Sequence, residues 1–523
     1  MQMCITHAED MHLDVYRDPW IDAICQDGHT ERLSLRDCLV RSKDIKSLYI
    51  KDAIYALDNT VPYTLLTMVI SRVFHPDQDD KLDMLDDDGF DMDQIDLYIQ
   101  SCESNGVSFD VFDETHPFLQ DPEYKKWQKV KADKKSNGLA TVGILEPMMV
   151  SGNNTVFYHN KNYDTNGDSV QDTLFMTPPQ FIASVARNHM YHGSSGGSCG
   201  TGYVPSQPPL HCIIHGKDLF ETLVISIPEN LCGVPLWERR YNMSIPEIID
   251  QYGHLDYISA ALLPTTSIRF GEVENGIVKN IFYYGSLYKG KDKEKPKEFI
   301  NLFRIQAETG INLMLQGRKK KAGIEYAPIG LGNCADLTST VLQILQNFDS
   351  TGDRRFIQEA LDEDSLNGPF QFVVYGGKLS ASGVEPYSVT WNIPIPEALM
   401  DTTVSMYVKG IAAYVETASN LLLRELLNLE RDIQSGKKLK ESGAVRTIVR
   451  HFSEYACDQL IPNTMLHGTW VEQIIQDPTE EKQKEIIEQI ETMILKAYYS
   501  YRTRDILSSA KHAAYLQMGL AKI

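Results

Sequence analysis

The feature that most constrains this sequence is a change of hydrophobic pattern after about residue 396. Three prolines, Pro386, Pro394 and Pro396, close the preceding region, and apolar residues then recur at spacings of three and four. The four segments with this spacing are marked by Val404, Tyr407, Val408, Ile411, Val415, Ala418 and Leu422; by Val445, Ile448, Val449, Phe452, Ala456 and Leu460; by Ile486, Ile487, Ile490, Met493, Ile494 and Ala497; and by the run from Arg504 to Leu520. Amphipathic helices joined by polar loops predict a four-helix bundle over 397–523.

Residues 1–396 have a different sequence pattern, in which short strand-like runs alternate with helical ones. Residues 21–24 precede a Gly-containing turn and predict a hairpin. The apolar run 60–75 predicts a buried helix, and 176–190 predicts a helix that begins at two prolines. Strand-like pieces recur between 267 and 325. The fold class is therefore predicted to be α+β, with a large mixed α/β N-terminal domain followed by the bundle.

The charge of the chain is negative and unevenly distributed. The 523 residues carry a net charge of −21, and residues 1–122 hold 26 acids against 9 bases, or −17 of that total. The bulk charge argues against a general polyanion binder but leaves room for local basic patches. Ten aspartates lie between Asp77 and Asp96. They do not follow the EF-hand spacing, so they predict a solvated acidic face.

Composition also limits where in the cell the protein is expected to act and which cofactors it is expected to bind. No run of about 18 apolar residues exists, and the N-terminal sequence lacks a signal-peptide pattern. The nine cysteines contain no CxxC pair, which disfavours a disulfide framework and a ribbon-type zinc site. We therefore predict a cytoplasmic protein with free thiols, no membrane partner, no cofactor and no metal. His211 and His215, in an apolar run, are interpreted as core or surface histidines rather than metal ligands.

A glycine-rich stretch at 193–202 invites three enzymatic interpretations. No Gly-Lys-Ser/Thr follows it, so it is not a P-loop, and it lacks the dinucleotide-binding glycine spacing. Gly193 to Gly197 matches the GxSxG pattern around Ser195. A nucleophile elbow, however, needs a strand before it and a helix after it, whereas a predicted helix precedes it here. A loop whose backbone N–H groups approach a ligand closely is favoured, with a structurally idle loop as the alternative.

Three lysine-rich clusters stand out in this acidic chain. They are Lys289, Lys291, Lys293, Lys295 and Lys297; the stretch 316–321; and the stretch 437–440. Each is compatible with a solvated loop. Together they favour local contacts to phosphates.

Several short motifs occur in an order typical of one known family. They are FDVF at 109–112, HPFLQ at 116–120, SGNNTVFYH at 151–159, GKDL at 216–219, GHLDY at 253–257, Gly376-Gly377, and RHF at 450–452. In this order the chain resembles the CasA-like large subunit of Cascade, the type I-E CRISPR surveillance complex. The resemblance covers essentially the whole chain, and 228–375 is its least well matched part.

The resemblance implies a function that composition does not show. Members of the family are not enzymes, and they sit near the 5′ handle of the guide RNA. They recognise the protospacer-adjacent motif in duplex DNA, help to open the duplex, and help to recruit a helicase-nuclease. The implied partners are therefore guide RNA, the other Cascade subunits, double-stranded target DNA and the helicase-nuclease effector.

The resemblance also implies site residues. The loop near the guide handle and the motif matches Asn153, Asn154, Phe157 and His159. The glycine loop that contacts the DNA motif matches Gly196, Gly197, Ser198 and Gly200. The lysine that enters the minor groove matches Lys289 or Lys291. Where the family places a wedge glutamine after Gly-Gly, this chain offers Lys378, Leu379 or Ser382. The minor groove mainly distinguishes A·T from G·C, so a protein that recognises DNA from this groove is expected to accept several motifs.

Two alternatives remain open at this stage. One is a helical scaffold subunit without direct DNA contacts, held by the C-terminal bundle. The other is a serine hydrolase that uses Ser195.

Overall fold

A computed structural model describes the greater part of the chain. The described residues are 11–51, 53, 55–126, 139–145, 176–190, 210–228, 231, 233–243, 245–253, 256–264, 266–274, 276–285, 315–320, 323–328, 353–366, 368, 370–378, 387–415, 459–464 and 468–500. They divide into two compact units, with the change between Ile393 and Pro394. The domain limits predicted from sequence, 1–396 and 397–523, stay a prediction.

The first unit begins with a small antiparallel sheet. Its strands are β1 (Ile21–Cys25), β2 (Thr30–Leu33) and β3 (Ile45–Tyr49), in the order β2-β1-β3. The predicted hairpin is confirmed, because β1 and β2 pair through a turn in which Gly28 has a φ of +87°. Such a φ favours glycine, which has no Cβ. Helix α1 (Leu35–Val40) follows, with a capping box between Ser34 and Asp37.

Helix α2 is the central element of this unit. A 3₁₀ helix (Ala56–Thr60) leads into α2 (Val61–Phe74), whose residues are buried from Val61 to Ser71. The predicted buried helix is thus confirmed. Pro62 fixes the first turn. A helix that is apolar all round must be covered on every side, and α2 contacts several later helices as well as β3.

Two acidic helices follow α2. They are α3 (Gln78–Asp86) and α4 (Met92–Ser104). Most of their aspartates are exposed, while Leu85, Ile95 and Ile99 face the core. The predicted solvated acidic face is confirmed on this part of the chain.

The remaining elements of the first unit alternate between helices and short strands. They are β4 (Leu139–Thr141), a 3₁₀ helix (Val142–Leu145), α5 (Pro178–Met190), β5 (His211–His215), α6 (Leu219–Ser226), a 3₁₀ helix (Leu236–Glu238), α7 (Ile245–Tyr252), α8 (Tyr257–Ala261), β6 (Thr266–Phe270), β7 (Val273–Glu274), β8 (Ile277–Val278), β9 (Asn280–Gly285), β10 (Leu315–Lys320), β11 (Gly323–Pro328), α9 (Asp353–Asp362), β12 (Phe370–Lys378) and β13 (Tyr387–Ile395).

These strands form four further small sheets. Their orders are β13-β12-β5, β4-β9-β6, β10-β11 and β7-β8. The pairings of β12 with β5, β4 with β9, β6 with β9, β10 with β11 and β7 with β8 are antiparallel. Mixed helices and small antiparallel sheets confirm the predicted α+β class.

The second unit is helical in its described part. A 3₁₀ helix (Glu397–Met400) precedes a helical stretch at 402–415, and α10 (Ile461–Thr464), α11 (Thr469–Gln476) and α12 (Glu480–Ser500) follow. The predicted apolar face is buried at Val404, Val408, Ile411 and Val415, and on α12 at Ile486, Ile490 and Ile494. The second predicted helix and the last one fall outside the described residues. None of the helices described has the length and apolarity needed to cross a membrane.

Candidate nucleic-acid interface

The residues predicted to contact nucleic acid fall in four segments. We name them the handle segment (146–175), the glycine segment (191–209), the lysine segment (286–314) and the wedge segment (379–386). Twelve of the thirteen predicted site residues lie in these segments, outside the described residues: Asn153, Asn154, Phe157, His159, Gly196, Gly197, Ser198, Gly200, Lys289, Lys291, Leu379 and Ser382. Lys378 is the last residue of β12. The structure shows where each segment joins the fold.

Helix α5 connects the first two segments. The handle segment ends at Met176, which forms a reciprocal backbone pair with Val278 at N···O distances of 3.0 and 2.9 Å. Helix α5 begins two residues later, and the glycine segment begins directly after its last residue, Met190. Every residue of α5 from Phe181 to Met190 is buried. The end of one segment and the start of the next are therefore fixed on one buried helix.

A buried arginine of α5 holds the start of the handle segment. The Arg187 guanidinium donates through Nη1 to Oδ1 of Asp58 at 2.8 Å, and through Nη2 to the carbonyl of Leu145. Leu145 is the last residue before the handle segment. The side chains of Arg187 and Asp58 are 3% and 4% exposed. Burial raises the pKa of Asp58, and the Arg187 cation acts in the opposite direction. A permanent cation beside it keeps this carboxylate ionised at neutral pH.

The next residue of α5 joins the start of the lysine segment. The Thr266 hydroxyl donates to Oδ1 of Asn188 at 2.7 Å, and Thr266 on β6 pairs with Gly285, the last residue of β9. The lysine segment begins immediately after Gly285. The neighbouring His189 donates through Nε2 to the carbonyl of Leu119 at 2.8 Å. Within α5, Arg187 contacts the residue before the handle segment, and Asn188 contacts the strand partner of the residue before the lysine segment.

The end of the glycine segment lies beside the start of the wedge segment. Leu210 follows the glycine segment and directly precedes β5, and His211 of β5 pairs with Tyr375 of antiparallel β12. Strand β12 continues past this pair through Gly376 to Lys378. The wedge segment therefore begins next to the point where the glycine segment rejoins the fold.

One short helix links these two groups of segment ends. The 3₁₀ helix Ala56–Thr60 contacts both α5 and β12. It carries Asp58, the partner of Arg187. We call this set of residues the stem cluster: Asp58, Leu145, Arg187, Asn188, His211, Thr266, Gly285 and Tyr375. Through this cluster, residues that flank each of the four segments are joined to the same set of buried elements.

The chain resembles known proteins both in sequence and in fold. Residues 14–256 match the family model of the CRISPR-associated protein Cse1. CasA (Cse1) of Thermus thermophilus has the same fold, with 14% identity, a TM-score of 0.61, and coverage of 98% of this chain and 99% of that one. The chain therefore resembles CasA (Cse1) in its fold, and its residues 14–256 resemble the Cse1 family in sequence. The resemblance predicted from short motifs is confirmed.

Further solved structures share this fold. Cse1 of Acidimicrobium ferrooxidans is 13% identical over 98% of each chain, with a TM-score of 0.60. A chain of a CRISPR RNA-guided surveillance complex is 15% identical over 98% of this chain and 99% of that one, with a TM-score of 0.66. No curated protein sequence matches this chain significantly.

The CasA-like chain presents one of its predicted basic clusters on a described hairpin. Strands β10 and β11 pair from Leu315 with Pro328 to Lys320 with Gly323. The last residues of β10 are Arg318, Lys319 and Lys320, so the predicted cluster at 316–321 lies at the turn end of this hairpin.

The two histidines of β5 are core residues, as predicted. His211 and His215 are both buried. Burial lowers the pKa of His211 to about 3 and that of His215 to about 4, so both are neutral at pH 7. The ring of His215 also makes an edge contact with Tyr63, with 5.4 Å between ring centroids.

Local sequence patterns do not indicate the stem cluster as a whole. Asp58, Asn188 and Thr266 belong to no motif, and their roles depend on partners far away in the chain. One local signal was present, because Arg187, Asn188 and His189 form a polar run at the end of an otherwise apolar helix. A buried polar run of this kind requires partners. Among the described residues, no group of three potential metal ligands lies in the stem cluster.

Proposed function

We propose that this CasA-like chain is the large subunit of a guide-RNA surveillance complex of the Cascade type. In this proposal it binds guide RNA and the other subunits in the cytoplasm. It recognises the protospacer-adjacent motif in duplex DNA from the minor groove, helps to open the duplex, and helps to recruit the helicase-nuclease. The family match supports membership of the complex. The observation that carries the DNA-recognition role is the stem cluster.

The stem cluster supports DNA recognition because motif recognition needs several loops to act at one place. Arg187 and Asn188 hold the handle and lysine segments, and the pairing of His211 with Tyr375 holds the glycine and wedge segments. Segments that are far apart in the sequence are thus attached to the same buried elements. Binding sites placed on rigid elements hold their contacts more precisely than sites on free loops.

A non-enzymatic role fits the elements that flank Ser195. Helix α5 precedes the glycine segment and strand β5 follows it. A nucleophile elbow requires the opposite order, with a strand before the serine and a helix after it. We therefore propose that the chain acts by binding, without a catalytic serine.

We further propose that residues 397–523 form the four-helix bundle. The amide of Gln483 donates to the Tyr407 carbonyl at 3.2 Å, and the Tyr414 hydroxyl donates to Glu491 at 2.8 Å. Both contacts advance in the same direction along the two helices, so the stretch 402–415 and α12 run parallel. First and third helices are parallel in an up-down-up-down bundle.

The first experiment compares target binding by the guide-RNA complex assembled with and without this chain. The targets are randomised beside the guide-matched segment. We expect a preferred short motif only when the chain is present, and weaker preference with Gly197→Asp or Phe157→Ala. Gln100→Asp, which adds a charge at an exposed position of α4, is the control. If omission of the chain changes neither binding nor preference, the scaffold alternative replaces this proposal.

A second experiment tests the stem cluster with two matched threonines. Thr266→Val removes the hydroxyl that donates to Asn188. Thr222→Val removes a buried hydroxyl that donates to the carbonyl of Asp218, the N-cap of α6, and accepts from the Gly216 N–H at 3.2 Å. Thr266→Val should lose about 1 kcal/mol of stability, the value of one buried hydrogen bond, and Thr222→Val about 1–2 kcal/mol because it removes two. Only Thr266→Val should also weaken target binding, by about fivefold, because one hydrogen bond is worth about that factor. Equal target affinity in both variants would argue against the stem cluster as the base of the DNA-binding segments.

A further inference from the structure

The hairpin of β1 and β2 brings three different metal-ligating residue types onto one face. Cys25 ends β1, His29 precedes β2, and Glu31 is the second residue of β2. The turn is closed by a hydrogen bond from the Cys25 N–H to the His29 carbonyl at 2.9 Å. Ala23 pairs directly with Glu31. Directly opposed residues of an antiparallel pair share a face, so Cys25, His29 and Glu31 lie on the same side.

The ligand atoms of these residues are close together. Sγ of Cys25 lies 3.0 Å from Oε1 of Glu31, and Nε2 of His29 lies 3.4 Å from the same oxygen. All three ligand atoms lie within 4.8 Å of one another. Ligand atoms around a tetrahedral zinc ion are separated by roughly 3.5 Å, given metal–ligand distances of about 2.0–2.3 Å. Nη2 of Arg41 contacts the same Oε1 of Glu31 at 2.6 Å, so Glu31 would ligate the ion through its other oxygen or release Arg41.

An aspartate in the turn orients the histidine for this role. The Nδ1 nitrogen of His29 is hydrogen-bonded to the Asp27 carboxylate. This contact holds the Nδ1 proton and leaves Nε2 directed at Glu31 and Cys25. A carboxylate on the far nitrogen of a histidine is the usual outer partner of a zinc-bound imidazole.

The local charges also suit a divalent cation. Glu31, Asp27 and a Cys25 thiolate carry three negative charges, and Arg41 adds one positive charge through a 2.6 Å contact with Glu31. The sum is two negative charges. Asp44 lies outside this set, 3.9 Å from Nε of Arg41. The His29 side chain is 52% exposed, so the site is open to an entering ion.

We propose that Cys25, His29 and Glu31 bind a zinc-class divalent cation, with a fourth coordination position open to water. A mixed set of sulfur, imidazole and carboxylate ligands suits Zn²⁺. The ion would fasten the hairpin, whose Gln26 amide donates to the Lys217 carbonyl ahead of α6 at 2.8 Å. The absence of CxxC pairs predicts no ribbon-type zinc site, whereas these three residues have the spacing Cys-x₃-His-x-Glu.

The test uses the purified full-length chain after chelator treatment and dialysis. Co²⁺ is titrated in, and the cobalt–thiolate charge-transfer absorption is followed, with Zn²⁺ added as competitor. We expect a one-to-one thiolate signal that Zn²⁺ displaces. Cys25→Ser should remove it, and Asp27→Asn should weaken binding by about 10- to 100-fold. Cys212→Ser, which changes a cysteine away from the proposed site, is the matched control and should leave the signal unchanged.

Two results would overturn the proposal. The first is a wild-type chain without the cobalt–thiolate signal, or with one that persists in Cys25→Ser. The second uses His29→Gln, which changes an exposed turn position and should leave the fold intact. Wild-type affinity for Co²⁺ in this variant would remove His29 from the site. The measurement is independent of guide RNA and DNA, so its outcome does not depend on the proposed function.

Discussion

The stem cluster and the acidic helices α3 and α4 are both rich in polar side chains, but they use them in opposite ways. In the stem cluster, polar groups are buried and each is directed at a partner from a distant part of the chain, as Arg187 is at Asp58. On α3 and α4 the carboxylates are mostly exposed, and those at the start of each helix cap it. Asp77, for example, accepts from the Asp80 N–H at 2.9 Å. Asp96 differs, since it accepts from Tyr16 and Arg36.

This difference separates two tasks that charge performs in one protein. A buried ion pair fixes position, since breaking it leaves an uncompensated charge in a low-dielectric interior. An exposed carboxylate stabilises only its local turn, and it contributes mainly to the surface potential.

The largest loss of stability is expected from Arg187→Met. The variant leaves Asp58 buried without its cation and leaves the Leu145 carbonyl without its donor. We expect a loss of about 3–5 kcal/mol, measured by urea unfolding. The double variant with Asp58→Leu should recover part of this loss, because it removes the unpaired charge. A loss below about 1 kcal/mol in the single variant would contradict the assignment of a buried pair.

Gln120→Leu is expected to have the second largest effect. The Gln120 amide donates to the Val111 carbonyl at 2.7 Å, and its oxygen accepts from the Phe270 N–H at 2.8 Å. The substitution leaves two buried backbone groups unsatisfied, so we expect a loss of about 2–4 kcal/mol. Thermal unfolding measures it. Gln94→Leu on the exposed part of α4 is the control, and an equal loss there would refute the argument from burial.

The third prediction concerns the pH dependence of stability near β5. The folded pKa of His215 is lowered to about 4 by burial, from an ordinary 6.5. A group with a depressed folded pKa stabilises the fold above its unfolded pKa, and this contribution is lost as the pH falls. The protein should therefore lose stability from pH 6.5 towards 4, by about 2 kcal/mol at pH 5 from His215 alone.

His215→Phe provides the test, because phenylalanine keeps the ring contact with Tyr63 but does not titrate. The slope of stability against pH between 6.5 and 4 should become shallower in the variant. The exposed His116 offers the matched control, His116→Phe, which should not change the slope. Identical slopes in the wild type and His215→Phe would contradict the prediction.

The smallest effects are expected on the acidic helices. Asp77→Ala removes an N-cap and should cost about 1 kcal/mol. Asp79→Asn, at an exposed position that caps nothing, should change stability by less than about 0.5 kcal/mol. We also expect Asp79→Asn to leave target binding by the assembled complex unchanged, since the acidic surface is expected to face away from the duplex. A marked loss of target binding would place this surface at the interface.

Local patterns were sufficient for elements whose neighbours lie nearby in the chain. The hairpin at β1 and β2, the buried helix α2 and the proline-initiated helix α5 were predicted correctly from spacing and turn residues. The pattern of the apolar run 219–226 fits either a strand or a helix. The structure makes it α6, and Asp218 caps it by accepting from the Glu221 N–H at 2.8 Å.

The stem cluster could not be predicted in the same way. Its contacts join Asp58 to Arg187, Asn188 to Thr266, and His211 to Tyr375. Nothing in the local sequence around Thr266 or Tyr375 indicates which distant partner it takes. Of the motifs that carry the family resemblance, SGNNTVFYH lies in the handle segment and Gly376-Gly377 comes shortly before the wedge segment. The contacts of the stem cluster depend on tertiary pairing.

The pairing of β5 with β12 has a consequence for how the chain is made. During synthesis, β5 leaves the ribosome long before Tyr375 and the rest of its partner strand exist. Its edge stays unpaired for that period, and closing so long a loop is slow. The glycine segment thus acquires its second anchor only when about three quarters of the chain has been translated. A prematurely truncated product would contain the glycine residues but lack the base that positions them.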